Sequence, residues 1–463
     1  MPRRLVPVLL LLVGAASTTA AARVPPGGPA DDPGAPVRAP VLSARRAPVV
    51  LSRAVADGRL RAQLDEAMAA PALGAARDQS CLVVRQGARS LLTRRPEEQL
   101  IPASNLKILT GLAVVTRMDP GEHLRTEVRA AGPVAAGVVD GPLWLVGGGD
   151  PLLATADYAA SFTNQPQVYT PLEQLADAVV AAGVKVVTGG VVGDETRYDT
   201  QRYVPTWKPG YITDFESGPA SALVVNDGFV QFSPRRVAAP EPDAHAAGVL
   251  IALLRARGVS VAGGPGEGRA PAGTTVVAGV ASPPVRELVT QMLRESDNLT
   301  AELLVKELGH RFGGAGSTAA GLAVVRETLA AAGLPVAQLT SVDGSGLDRS
   351  DRATCGLLMA ALDHTGPDSV VAAGFAVAGR DGTLAKRFRD NPAAGRLRGK
   401  TGSLDGVVGL TGYVDGPAGE APLAFALLLN GLPRDAVGRA VQEQVGAILA
   451  RYPEAPAPEA LAP

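Results

Sequence analysis

Three short motifs place the residues needed for serine acyl transfer in a fixed order along the chain. They are Ser104-Asn105-Leu106-Lys107, Ser296-Asp297-Asn298 and Lys400-Thr401-Gly402. The first supplies a hydroxyl nucleophile and an amine that can take its proton. The other two supply a second hydroxyl, an amide and a second lysine to face them. Together the motifs predict a serine nucleophile that forms a covalent acyl intermediate.

Lysine is scarce in this chain, so its positions are informative. Of the 44 lysines and arginines only six are lysine, and two of those, Lys107 and Lys400, lie in the motifs. A desolvated lysine can lose its proton, whereas arginine keeps its proton in proteins. The motif set therefore favours an acyl-transfer enzyme acting on a D-Ala-D-Ala-like peptide or a β-lactam.

Each motif taken alone also has a structural interpretation. Ser104 could cap a helix, Ser296 could belong to a turn, and Lys400 could be the solvated end of a strand. The occurrence of all three in one chain, ordered and well separated, favours catalysis.

A buried helix is predicted at residues 101–118 to position the nucleophile. Ser104 and Lys107 are three residues apart, so a helix turns both to one face. The positive end of the helix dipole would also favour an oxyanion near Ser104. The second motif falls between predicted helices, and the third opens predicted strands at 403–414 and 423–429. The predicted helices after residue 283 are 284–294, 299–310, 318–332, 354–363 and 437–451.

At 463 residues the chain is expected to form more than one domain. We assign 49–118 and 283–452 to a catalytic domain of α/β (α+β) class. Residues 119–282 read as short strands punctuated by Gly and Pro, with one helix from Thr170 to about Ala182. We therefore expect a mostly-β domain inserted into the catalytic domain.

The chain ends predict export and little ordered structure. Residues 1–22 resemble a signal peptide, with two arginines, an apolar stretch and a small-residue cleavage site; a retained anchor is the alternative. Residues 23–48 are predicted to be a flexible leader, and 453–463 a disordered tail. The two cysteines, Cys81 and Cys355, could form one disulfide or remain buried thiols.

Composition argues against other partners. The net charge is -1 and no basic run suggests nucleic acid. The four histidines are scattered without metal-ligand spacing, so we predict neither a catalytic metal nor a cofactor. No transmembrane segment is expected after signal cleavage.

Beyond the motifs, the chain from about residue 60 to 452 resembles one family. It is similar to the D-alanyl-D-alanine carboxypeptidase/endopeptidases of peptidase family S13, the class C low-molecular-mass penicillin-binding proteins. The strings that carry the resemblance are IPASNLK at 101–107, VGGGDP at 146–151, GVVGD at 190–194, SALVVND at 221–227, SDNL at 296–299, DGSGL at 343–347, AGRDGTL at 378–384 and GKTGS at 399–403.

The resemblance implies a transpeptidase fold shared with serine β-lactamases, in which helices flank a five-stranded antiparallel sheet. It implies Ser104 as nucleophile, Lys107 as general base, and Ser296, Asn298 and Lys400 as the other catalytic residues. The implied partners are peptidoglycan stem peptides and, as covalent inhibitors, β-lactams.

The substrate contacts are also implied by the resemblance. Thr401, Gly402 and Ser403 would hold the substrate, with the backbone N–H groups of Ser104 and Ser403 facing the oxyanion. Asp150 would face the side-chain amine of a peptidoglycan diamino acid, with turn capping as the alternative.

One departure from the family and two competing functions are open at this point. The 192 residues from Ser104 to Ser296 are fewer than the family typically has, so we expect one of the two domains that the family inserts to be reduced or missing. A serine β-lactamase or esterase, and a non-catalytic wall-binding or β-lactam-sensing protein, are the alternatives to a peptidase.

Overall fold

The computed structural model describes residues 47–417 and 419–461, so the predicted signal peptide and nearly all of the predicted leader lie outside it. Its α-helices are α1 (Ala47–Met68), α2 (Leu106–Arg117), α3 (Ala156–Ala160), α4 (Leu172–Ala181), α5 (Pro209–Thr213), α6 (Pro242–Ala256), α7 (Val285–Glu295), α8 (Asn298–Phe312), α9 (Thr318–Ala331), α10 (Cys355–Thr365), α11 (Val370–Ala373) and α12 (Asp435–Arg451). In the described part of the chain no helix is long and apolar enough to cross a bilayer.

The strands vary in length from two residues to ten. They are β1 (Ser80–Gln86), β2 (Arg89–Arg94), β3 (His123–Ala130), β4 (Val138–Val139), β5 (Leu143–Val146), β6 (Leu153–Ala154), β7 (Thr170–Pro171), β8 (Val186–Val187), β9 (Val191–Asp194), β10 (Phe229–Gln231), β11 (Val237–Ala238), β12 (Ser260–Val261), β13 (Pro265–Glu267), β14 (Thr275–Pro284), β15 (Ala376–Val377), β16 (Leu397–Leu404), β17 (Val407–Val414) and β18 (Leu423–Leu429).

An antiparallel sheet in the order β15-β16-β17-β18-β1-β2 forms the centre of the domain that we predicted to be catalytic. It contains the five strands that we expected, and the two-residue β15 adds a sixth at one edge. Strands β17 and β18 are buried throughout, because helices cover both faces of the sheet.

The alternation of side chains along β1 shows how the two faces are filled. Cys81 and Val83 join an apolar cluster with α2, α7, α8 and α10. Leu82 and Val84 join a second cluster with α1 and α12. The nucleophile helix α2 therefore lies in a buried layer, where its position is fixed by packing on both sides.

A separate apolar cluster, drawn from residues between 128 and 280, organises the inserted segment. Its main sheet has the order β13-β9-β5-β3-β14 and combines parallel and antiparallel pairs. The predicted helix after Thr170 is present as α4, and α6 packs beside it with Leu250 and Leu254 buried. The segment combines many short strands with helices, because the Ala- and Leu-rich stretch of α6 forms a long helix.

The structure also describes most of the C-terminal tail and the two cysteines. The tail predicted to be disordered packs against α1 as far as Leu461, and Ser52 Oγ donates to the Pro456 carbonyl at 2.8 Å. A short 3-10 turn, Pro458–Leu461, lies beside that helix. The disulfide between Cys81 and Cys355 is confirmed, with a Cα–Cα distance of 6.0 Å.

Candidate active site

The predicted nucleophile, Ser104, lies at a tight turn immediately before α2. A 3-10 turn, Ala103–Asn105, contains Ser104, and Ala103 has a left-handed φ of 45°. A side chain at Gly346 would place its Cβ 2.1 Å from the Ala103 carbonyl oxygen, so the loop around Gly346 passes directly over this turn. The serine hydroxyl is thus held at the start of the helix by close backbone packing, and it stays half-buried.

Lys107 is fully buried, and its Nζ has three acceptors. It donates to Ser104 Oγ at 3.0 Å, to Asn298 Oδ1 at 2.5 Å and to the Ser345 carbonyl at 2.7 Å. An ammonium group has three donors, so these acceptors saturate it. The structure therefore brings the serine and lysine of the first motif together, with the amide of the second motif beside them.

Burial lowers the pKa of Lys107 to about 8, because the charged form loses its hydration. The negative charges of Asp343 and Glu302 oppose this shift. The result is an amine that is partly neutral near physiological pH. A neutral amine can accept the proton of a serine hydroxyl.

The second motif occupies the junction between α7 and α8. Ser296 ends α7 in a left-handed conformation with φ of 63°, which turns the chain sharply into the cleft. Asp297 caps α8 by accepting the Thr300 N–H at 3.1 Å. Asn298, the first residue of α8, accepts from Lys107 and donates from Nδ2 to the Glu216 carbonyl at 2.6 Å.

The third motif lies on β16, across the cleft from the nucleophile. Lys400 is fully buried, and burial followed by repulsion from Lys107 holds its pKa well below the ordinary value. Its Nζ donates to the Thr401 carbonyl at 2.8 Å. The Thr401 hydroxyl pairs with that of Thr383 at 2.9 Å. Gly402 passes so close to the nucleophile turn that a Cβ there would lie 2.6 Å from Asn105 Nδ2.

A cleft of about 510 Å³ connects the three motifs. Six of the nine residues predicted for the site line it, and these are Ser104, Ser296, Asn298, Thr401, Gly402 and Ser403. The two motif lysines lie buried behind this surface. The cleft can accept an extended peptide, because β16 pairs with β15 only at Arg398 and Gly399 and leaves its edge at the motif without a strand partner in the described chain.

Asp150 is the predicted site residue that the structure places elsewhere. It is 2% exposed and does not line the cleft, and its Oδ1 accepts the Leu152 N–H at 2.9 Å. Burial raises the pKa of this carboxyl to about 6. The geometry favours the turn-capping alternative over contact with a substrate amine.

The site also contains residues that were not predicted as site residues. The carbonyls of Glu216 and Ser345 contact the motifs through the backbone, which leaves no signal in the residue type. Thr383 and Arg439 line the cleft through their side chains. Thr383 belongs to the string at 378–384 that supported the family resemblance, so that string carried a usable signal.

A group of acidic residues lies away from the cleft. Carboxylate oxygens of Glu241, Asp243 and Glu267 lie within 4.8 Å of one another in the inserted segment. None of the three lines the cleft.

The fold and the site together define a class. A helix-flanked antiparallel sheet, with a Ser–Lys pair facing a Ser-x-Asn loop and a Lys-Thr-Gly strand, is the architecture of the penicillin-recognising serine enzymes. The model of the family described as D-Ala-D-Ala carboxypeptidase 3 (S13) matches residues 60–238 and 231–452. The chain belongs to this family.

Relatives agree with this assignment. The chain is 31% identical to the D-alanyl-D-alanine carboxypeptidase of Actinomadura sp. (strain R39), and the alignment covers 86% of each chain. It is 32% identical to the carboxypeptidase DacB of Mycolicibacterium smegmatis, over 75% of each. Its fold is similar to penicillin binding protein 4 of Haemophilus influenzae, with a TM-score of 0.69, 20% identity, and coverage of 80% of this chain and 95% of that one.

Proposed function

We propose that this chain is a serine-type D-Ala-D-Ala carboxypeptidase that acts on peptidoglycan stem peptides through an acyl-enzyme on Ser104. Endopeptidase action on D-Ala cross-links is compatible with the same chemistry. β-Lactams would acylate the same hydroxyl and inhibit the enzyme. The observation that carries the proposal is the 3.0 Å contact between Ser104 Oγ and the buried amine of Lys107.

Acylation begins with proton transfer. The neutral Lys107 Nζ takes the Ser104 proton while Oγ forms a bond to the carbonyl carbon of the penultimate D-Ala. The backbone N–H groups of Ser104 and Ser403 would receive the oxyanion, because preformed donors stabilise charge as it develops. The C–N bond then breaks, and the leaving amine takes a proton relayed through the Ser296 hydroxyl. A water molecule next attacks the ester and releases the shortened peptide, which restores the Ser104 hydroxyl.

The remaining residues of the motifs have roles in binding the substrate. Asn298 has one Nδ2 hydrogen engaged by the Glu216 carbonyl, so the other is available to a substrate amide oxygen. The Thr401 hydroxyl and the Lys400 amine would hold the terminal carboxylate, with Ser403 and Gly402 along the same strand edge. Approach of a carboxylate raises the pKa of Lys400 and so favours its charged form.

The same proposal places the protein outside the cytoplasmic membrane. Its substrate class lies there, and residues 1–22 have the composition of a secretory signal. The disulfide between Cys81 and Cys355 fits an oxidising compartment.

The decisive experiment measures D-Ala release from a synthetic pentapeptide ending in D-Ala-D-Ala, beside intact mass after brief exposure to benzylpenicillin. We expect D-Ala release and a stable adduct on the wild type, with both lost in Ser104→Ala. Rapid penicillin turnover without a lasting adduct would indicate a β-lactamase instead. The absence of adduct, turnover and D-Ala release would refute the enzyme assignment.

A further inference from the structure

The buried carboxylate of Glu302, outside the three motifs, holds a turn that contacts the proposed general base, Lys107. Glu302 lies on α8, four residues after Asn298, so both side chains leave the same face of the helix. It is 3% exposed, and its Oε1 accepts the backbone N–H groups of Gly344 and Ser345 at 3.0 and 2.9 Å. One oxygen thus fixes two successive peptide groups of the turn at 343–347.

Other contacts complete the support of this turn. The Asp343 carboxylate accepts the Gly346 N–H at 2.6 Å and the Trp207 Nε1–H at 2.7 Å. The Gly344 carbonyl accepts the Thr110 hydroxyl at 2.7 Å. Since Thr110 lies one turn after Lys107 on α2, the turn is tied to the nucleophile helix and, through Glu302, to the helix of the second motif.

The turn presents one group to the catalytic amine, the Ser345 carbonyl, at 2.7 Å from Lys107 Nζ. A neutral amine has two N–H donors and one lone pair. To take a proton from Ser104 Oγ, that lone pair must point at the hydroxyl. The two hydrogens then need acceptors elsewhere, and Asn298 Oδ1 and the Ser345 carbonyl are the two that the structure provides.

We propose that Glu302 is a positioning residue for acylation, because it holds the Ser345 carbonyl where it directs the lone pair of Lys107 toward Ser104. This inference rests on the proposed function, since it assigns a role within the same acyl transfer. Glu302 does not touch the substrate and acts only through the peptide groups that it binds. Removing its acceptor oxygen releases the peptide groups of Gly344 and Ser345, so the Ser345 carbonyl is no longer held firmly as an acceptor for the neutral amine.

The charges around Lys107 determine how its titration responds. The carboxyl groups are Glu302 on α8, Asp297 just before it, and Asp343 and Asp351 on the loop that follows α9, and Lys400 faces the amine from β16. Burial, and then the charge of Asp343, raise the pKa of Glu302 itself. Hydrogen-bond acceptors and negative charges stabilise the ammonium form of Lys107. The loss of either therefore lowers the pKa of Lys107.

The test compares Glu302→Ala with Glu302→Gln, using the acylation rate constant for a fluorescent penicillin between pH 6 and 10. Glutamine keeps an acceptor oxygen, so E302Q should retain the high-pH plateau within about threefold. E302A should lower that plateau about tenfold to a hundredfold, because it misorients the base. The acid limb of its pH profile, the range in which the rate constant falls as Lys107 gains a proton, should also move to lower pH. A merely structural role would reduce the folded fraction and leave the acid limb of the folded protein in place.

Glu307→Gln is the matched control, since Glu307 is also a buried carboxylate on α8 but binds Arg197 and Arg311. It should leave the acid limb at its wild-type position. Three outcomes would each overturn the proposal. The first is a high-pH plateau of E302A equal to that of the wild type, and the second is an E302A acid limb at the wild-type pH. The third is a high-pH plateau of E302Q as low as that of E302A. If E302A does not fold, Glu302→Asp replaces it, because the shorter side chain withdraws the acceptor oxygen from the Gly344 and Ser345 N–H groups, and a plateau equal to the wild type there overturns the proposal. Failure of the wild type to react at all would count against the proposed function instead.

Discussion

Asn298 of the second motif donates its Nδ2–H to the main-chain carbonyl of Glu216 at 2.6 Å, across the boundary between α8 and the inserted segment. The same amide presents Oδ1 to Lys107 at 2.5 Å. Because the two ends of one amide are fixed in this way, the inserted segment determines which atom of Asn298 faces the catalytic amine. The segment predicted to be an insertion therefore contributes a contact to the candidate active site.

Replacement of Asn298 by alanine should lower the acylation rate constant about a hundredfold, because the amine loses a fixed acceptor. Asn298→Asp should move the acid limb of acylation to higher pH, since a carboxylate beside the amine raises its pKa. Both effects are measured by stopped-flow acylation across pH. Asn391→Ala, which removes another amide-to-carbonyl bond (Asn391 Nδ2 to Glu443) outside the cleft, should change neither quantity. An N298D limb at lower pH would contradict this account.

Lys107→Arg should lower acylation by about 10³-fold or more while the protein stays folded, because arginine cannot act as a base at neutral pH. Intact mass after exposure to benzylpenicillin measures the loss, and circular dichroism reports the fold. Lys185→Arg, the same change at an exposed lysine, is the control. Penicillin labelling that persists in K107R would remove Lys107 from the role of base.

The pH dependence of the wild type follows from Lys107. Its pKa of about 8 belongs to the equilibrium between the ammonium and the reactive neutral amine. The acylation rate constant should therefore rise with pH through about 8 and level off above it, with spontaneous penicillin hydrolysis subtracted at each pH. A rate constant that is flat from pH 6 to 9 would show that another group takes the Ser104 proton.

Gly402→Ala should impair acylation through geometry alone. The new Cβ would lie 2.6 Å from Asn105 Nδ2 and 2.8 Å from the Pro102 carbonyl, so β16 would have to move away from the nucleophile turn. We expect a loss of about tenfold to a hundredfold in kcat/KM for D-Ala release. Gly132→Ala, where no atom lies within 4 Å of the new Cβ, should match the wild type. Equal activity of the two variants would refute the close approach.

The disulfide between Cys81 and Cys355 should stabilise the folded protein. Its 274-residue separation predicts that loss of the bond costs about 2–5 kcal/mol of unfolding free energy. Reductant should therefore lower the Tm of the wild type but leave that of a Cys81→Ser/Cys355→Ser double variant unchanged. A wild-type Tm that does not respond to reductant, with both thiols shown to be reduced, would mean that the bond stabilises little.

Sequence reasoning located the parts of the site whose chemistry is carried by side chains. The spacing of Ser104 and Lys107 predicted their contact, and the break before Asn298 predicted a loop that enters the cleft. It could not locate the carbonyls of Glu216 and Ser345, because a backbone acceptor is the same in every residue. Their positions depend on contacts between distant parts of the chain.

The fold was predicted best in the helices after residue 283 and least well in the segment between the first two motifs. The five helices predicted after residue 283 lie within a few residues of their predicted bounds, and only the four-residue α11 was not predicted among the described α-helices there. Strands β3 and β14 were missed, and they pair with each other over about 150 residues of chain, for example Thr275 with Ala130. Helix α6 was also missed, although its run of Ala and Leu favours a helix.

The position of β1 in the central sheet has a consequence for how the protein matures. β1 pairs in full with β18, so Ser80 meets Leu429, and the sheet is not continuous from β15 to β2 until almost the whole chain exists. Pairing of such distant segments is slow, because a long loop must close before any contact forms. The nucleophile turn precedes its opposing strand β16 by nearly 300 residues of chain and is buried against it. A growing or truncated polypeptide consequently has no assembled cleft, and reactivity toward penicillin should appear only once the C-terminal strands have docked.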